Sequence, residues 1–253
     1  MSLTISSNIA SLNAQRRLNS TTGQLQQSYE RLSSGLRIVR AKDDAAGLAI
    51  ADGLRADQRI ASVAIRNAND GVSLISIADG ALDQIGNVLS RMAELAEQSA
   101  NGVLSVAQRS ALQNEFIALG SEVERIARTT TFNGLNLLSG GQAIALQVGF
   151  DSTVDSRVTF SGVQGTLTSL GLAAAGGGSL AYSITAATSG GGQIAARAAL
   201  DAVRLAISSL TTNRGTLGAA ESRLNVAVTN LTVARENLAA AESQIRDVDV
   251  AQE

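Results

Sequence analysis

Asp151 and Asp155 stand four positions apart, and two carboxylates at that spacing offer oxygen ligands of the kind a hard cation such as Ca²⁺ accepts. Asp also starts turns, because its side chain accepts from backbone N–H groups just ahead, so the same pair reads first as turn-capping. Asp43 and Asp44, after Lys42, have the order of a helix N-cap and acidic first turn. The chain contains no His and no Cys, which removes imidazole bases, thiolate nucleophiles, disulfides and the commonest transition-metal ligands together. A hydrolase would then need paired Asp or Glu in a cleft, and no pair stands apart from ordinary helix charges. The residue types point away from enzyme chemistry, and neither a cofactor nor a resident metal is expected.

Composition narrows the class further. Of 253 residues 45% are hydrophobic but only 2% aromatic, so the core is expected to be thin layers of Leu, Ile, Val and Ala. Twenty basic residues against 22 acidic ones, without a long run of either sign, name neither nucleic acid nor an anionic membrane as partner. The start lacks the basic and apolar regions of a secretory signal, and no later run approaches the roughly 18 apolar residues of a membrane span. A soluble chain without membrane insertion is expected.

These side chains must be carried by long helices. Leu210, Leu217, Leu224, Leu231, Leu238 and Ile245 recur every seven residues, with Asn213, Ala220, Ala227, Ala234, Ala241 and Val248 three places on. Such a seam of large and small apolar side chains predicts a helix lying against another helix. The partner seam is Ala61, Ala68, Ile75, Leu82, Leu89 and Ala96, on a helix over residues 44–100 without any Pro. At the helical rise that partner would run about 85 Å. Its glycines Gly53, Gly71, Gly80 and Gly86 read as places of close helix contact. Leu112, Phe116, Leu119, Val123 and Ile126 predict a third, antiparallel helix, and residues 4–32 a first, amphipathic one. Alternation at Ile144, Leu146 and Val148, repeated at 157–160, predicts a β-hairpin. Gly176 to Gly178 and Gly190 to Gly192 read as flexible joints around a small insert, with the last helix beginning near Gln193. The fold class is mainly α: an elongated antiparallel long-helix bundle, coiled-coil-like, whose inserted hairpin region forms the far end.

The stretch RLSSGLRIVRAKDDAAGLAIA, from Arg31 to Ala51, resembles bacterial flagellin. MAELAEQSANG at 92–102, TTFNGLNLLSG at 130–140 and the final RDVDVAQE agree with it. The resemblance implies a structural filament subunit that polymerises with its own kind for motility, leaves the cell through flagellar export and chaperone machinery, and lies outside the cell. It implies an inner-tube helix and connector at 1–42, a filament core at 43–140 and 193–253, and a variable insert at 141–192. It also implies recognition by Toll-like receptor 5, with Arg91, Leu95 and Glu115 as contacts, although Ser90, Ala93 and Glu97 depart from the enteric pattern. Family members continue past RDVDVAQE into a helix that pairs with the first one. A largely monomeric, C-terminally truncated form is therefore expected, its first helix disordered or packed on a neighbour. The alternative is a cell-surface binding protein for carbohydrate or a host surface on the same scaffold, with Tyr182 and the Gly-rich insert making the contact.

Overall fold

The computed structural model describes residues 8–160, 162–174 and 177–250. In chain order it contains α1 (Ile9–Ser34), α2 (Ala45–Ala100), α3 (Val106–Thr129), β1 (Thr131–Phe132), β2 (Leu135–Asn136), β3 (Ile144–Gln147), β4 (Arg157–Phe160) and α4 (Ser189–Arg246). The expected mainly α class with small antiparallel strand pairs is what the chain adopts.

Each helix begins where a side chain satisfies its first orphan N–H groups. Asn8 caps α1 by accepting from Ser11 N–H at 3.1 Å, and α1 ends at Gly35, whose φ of 71° only glycine adopts cheaply. Asp44 caps α2, accepting from Gly47 N–H at 2.9 Å. Asp43 acts differently from the expected cap: its Oδ2 accepts from the Val39 and Arg40 N–H groups at 3.3 and 3.0 Å, bracing the connector. A capping box of Ser105 and Gln108 starts α3 six residues before the apolar periodicity becomes visible at Leu112. Thr188 Oγ1 accepts from Gly191 N–H at 3.2 Å, so α4 starts upstream of Gln193. The joint expected at Gly190 to Gly192 is therefore the first turn of a helix, whose backbone Arg109 approaches closely: a Cβ on Gly192 would lie 3.2 Å from Arg109 Cδ.

The chain forms two compact units, residues Ala64–Asn230 and residues Met1–Val63 with Leu231–Glu253, and α2 and α4 contribute to both. This division differs from the one implied at 42, 140 and 192. Leu167, Leu172 and Ile184, beyond β4, are fully buried in the same core as α2 and α3.

Within the continuous unit, α2 and α4 run antiparallel. A Cβ on Gly71 would lie 3.1 Å from Leu224 and one on Gly86 3.2 Å from Leu210, while Arg214 bonds both Asp79 and Asp83 between them. Gly53 and Gly80, also read as contact glycines, face open space instead. Ile75, Leu82, Leu89, Leu210, Leu217 and Leu224 are buried, and Phe116 of α3 fills the layer beside them. Asn133 and Gly134, with φ of 47° and 78°, turn β1 into β2, a hairpin whose Asn-Gly signal the periodicity reading passed over. β3 and β4 pair in the register Ile144↔Phe160 to Gln147↔Arg157. This second hairpin does not form a far end: Gln147 accepts from Asn67 at its carbonyl, so it lies alongside α2. The chain beyond β4 then runs along α3. Glu124 accepts from Leu167 N–H at 3.0 Å, and Gln113 Oε1 from Ile184 N–H at 2.6 Å.

In the other unit, Glu242 of α4 accepts from Arg55 and Gln58 of α2, each at 3.0 Å. Leu36 and Asp247 form an isolated antiparallel bridge, with Arg37 N–H donating to the Arg246 carbonyl at 2.6 Å and Val248 N–H to that of Gly35 at 3.0 Å. Leu231 is buried here, whereas Leu238 and Ile245 are half-buried.

Candidate functional site

α1 has no buried residue: Ile9, Leu12, Leu18, Leu25, Tyr29 and Leu32 are 42–66% exposed. Ile5, expected on the same helix, lies outside the described residues. Its 26 residues are helical, with a satisfied cap at each end. Its apolar positions do not form one stripe. At about 100° per residue, the six-residue step from Leu12 to Leu18 swings the pattern, so Leu18, Leu25, Tyr29 and Leu32 sit roughly 160° around the axis from Ile9 and Leu12. A helix that is apolar on two sides needs cover from two directions.

The second sequence-derived cluster is only partly brought to the surface. Arg91 donates to Glu115 Oε1 through Nε and Nη2 at 3.0 and 2.9 Å and to Glu94 at 2.9 Å, with all three side chains about half exposed. Its bonds to Glu94 and then Glu115 favour the charged guanidinium. Leu95 is 1% exposed and belongs to the core, because it continues the inward face of α2 after Met92. In this chain its side chain is not presented to solvent. Tyr182 packs against the core and is half-buried, which leaves only part of its ring to serve the surface-binding alternative.

Asp151 is a turn cap. Its Oδ1 accepts from Ser156 Oγ, from Thr153 Oγ1 at 2.6 Å and from Thr153 N–H at 3.1 Å. These donors, Ser156 foremost, hold its carboxyl below the usual aspartate value. Asp155 is exposed, and no group of three or more potential ligands is found among the described residues.

Sequence reading missed the polar groups buried on α3. Arg109 is 1% exposed, and its fork donates to the Ser99 carbonyl at 2.9 Å, the Asn101 carbonyl at 2.8 Å and Ser189 Oγ at 3.3 Å. The end of α2, the start of α3 and the start of α4 thus meet on one guanidinium. The signal was available: Arg109 precedes Phe116 by seven residues, so a charge falls on the apolar stripe.

Comparison with known proteins resolves the family. Residues 5–143 match the bacterial flagellin N-terminal helical region, and residues 200–253 the bacterial flagellin C-terminal helical region. This chain belongs to the bacterial flagellin family. Similar proteins include polar flagellin F of Vibrio parahaemolyticus, 51% identical over 140 residues that make up 55% of this chain and 37% of that one. Flagellin A of Vibrio anguillarum is 49% identical over 154 residues, 60% of this chain and 40% of the relative. This flagellin thus spans less than half the length of these curated relatives. Among solved structures, Bacillus cereus flagellin aligns with a TM-score of 0.53 at 29% identity, covering 70% of this chain and 94% of the other. A flagellar hook-associated protein of Vibrio parahaemolyticus aligns at 0.66 but 14% identity, covering 81% of this chain, which shows a shared fold alone. Flagellins are structural proteins of the flagellar filament, outside the cell. Among the described residues no helix is long and apolar enough to cross a membrane.

Proposed function

We propose that this chain is a subunit that adds to a flagellar filament, with the two-sided apolar surface of α1 as the part that other subunits cover. The observation that carries this reading is a 26-residue helix without one buried residue and with large apolar side chains on opposite sides. Burying a Leu or Ile is worth about 1.5–3 kcal/mol, so cover from two directions supplies a strong drive to associate. Contacts between different surfaces of successive copies propagate instead of closing, which suits a filament. Passage through the flagellar export machinery with its chaperones belongs to the same reading.

The test adds labelled chain to full-length flagellin with short filament seeds, followed by sedimentation and electron microscopy. The label is expected in the pellet, either along filaments or at ends whose growth it stops. Label that stays in the supernatant while filaments grow at an unchanged rate would overturn the proposal.

Recognition by Toll-like receptor 5 is a finer part of the proposal, resting on the exposed Arg91–Glu115 pair, with Leu95 acting from beneath by fixing the α2 face. Binding of the receptor ectodomain to the immobilised chain is expected to weaken in Arg91→Ala and in Glu115→Ala. Equal binding by both variants removes the pair from the site.

A further inference from the structure

Two Asn-Gly pairs lie in exposed turns of this chain, Asn101-Gly102 and Asn133-Gly134, and their surroundings differ. Asn is thermolabile because the next backbone nitrogen can attack its side-chain amide. A following glycine, lacking Cβ, leaves that nitrogen open to approach. At 133–134 both residues have positive φ, in a two-residue hairpin turn pinned by the pairing of Phe132 with Leu135. Attack there requires breaking the turn.

Asn101 is arranged otherwise. Its Oδ1 accepts from Val103 N–H at 3.3 Å, an Asx turn that holds the side-chain amide across the Gly102 peptide. The same N–H points at the oxygen on which negative charge would develop, as a one-donor oxyanion site. On the other side of the peptide, Arg109 Nη2 holds the Asn101 carbonyl at 2.8 Å, fixing the residue in place.

We infer that Asn101 is a site of spontaneous covalent modification, in which the folded turn promotes its own conversion to aspartyl and isoaspartyl forms. The Gly102 nitrogen gives up its proton and bonds to Asn101 Cγ, the Cγ–Nδ2 bond breaks, and ammonia leaves with a cyclic imide behind it. Water then opens either carbonyl of the ring. Opening at Cγ restores the ordinary backbone with an aspartate side chain. Opening at the α-carbonyl routes the backbone through Cγ and frees the α-carboxylate. No oxidant or reductant is involved. Either product places a carboxylate near Arg109, whose described hydrogen-bond partners are all neutral.

The test incubates the intact chain at mildly alkaline pH, then measures conversion at both Asn-Gly pairs by peptide mapping and by isoaspartyl-specific methyl labelling. In the folded chain Asn101 is expected to convert several-fold faster than Asn133, and in guanidinium the two rates are expected to converge. Val103→Pro, at a side chain 82% exposed, removes the N–H donor and is expected to slow Asn101 without changing Asn133. Should that variant fail to fold, the folded-against-denatured comparison of the unaltered chain still decides the matter. Equal rates in the folded state, or faster conversion at Asn133, would overturn the inference, as would a folded Val103→Pro chain that converts Asn101 at the original rate.

Discussion

Arg109→Ala is expected to destabilise the protein by about 2–4 kcal/mol, measured by thermal or urea denaturation followed by circular dichroism. The guanidinium is almost fully buried and serves three acceptors from separate elements. Its removal leaves the Ser99 carbonyl, on a residue with 0% exposure, without this donor, and an unsatisfied buried acceptor costs about 1–3 kcal/mol. The lost stem adds a cavity against Gly192. Arg109→Met fills most of that volume yet still abandons the acceptor, so it should recover only part of the loss. Arg109→Lys keeps the charge but not the planar fork, and one ammonium cannot span three acceptors in that geometry. The expected order of stability is native, Lys, Met, Ala. An Ala variant within about 0.5 kcal/mol of the native chain would show that the fork contributes nothing beyond ordinary surface polarity.

The second large effect separates association from stability. Leu25→Glu on α1 is expected to leave the denaturation profile of the isolated chain unchanged, since Leu25 is 54% exposed and packs on nothing in the core. In the seeded filament assay it should abolish both incorporation and end-capping, because a carboxylate would enter a surface that association makes dry, at a cost of several kcal/mol. A matching Leu12→Glu variant, on the opposite side of the helix, is expected to fail as well if two directions of cover are needed. Unimpaired incorporation of Leu12→Glu would reduce the surface to the single stripe through Leu18, Leu25, Tyr29 and Leu32.

Much of the helical frame was legible because it repeats. A seven-residue spacing sustained from Leu210 to Leu231 has one physical reading, and those four leucines are buried. The β3–β4 hairpin was equally open, since alternation at Ile144, Leu146 and Val148 has no helical interpretation. What escaped depends on single residues whose meaning comes from distant partners. Gly190 to Gly192 looks like a hinge until Thr188 caps it and Arg109 needs the space. Gly80 and Gly71 are alike in sequence, yet only Gly71 faces Leu224 and Leu146. Leu95 shares its burial with Met92 and Ala96, which the spacing along α2 accounts for, whereas its part in recognition rests on the resemblance alone. The six-residue step from Leu12 to Leu18 carries the apolar pattern of α1 around its axis, which a single amphipathic face does not describe.

The bridge between Leu36 and Asp247 has a consequence for the order of folding. It closes a loop of more than 200 residues, whereas the continuous unit, Ala64–Asn230, has all its contributors in one stretch. A chain that emerges from its N-terminus can complete the continuous unit while the partners of Leu36 and Arg55 are still absent. Asp247 and Glu242 arrive last. Loop-closure entropy grows only slowly with length, so prior collapse of the middle offsets much of the cost by bringing the two ends near. Synthesis interrupted before residue 231 would therefore release a chain with a formed middle and an unformed unit made from its two ends, a state that limited proteolysis can separate from the finished molecule.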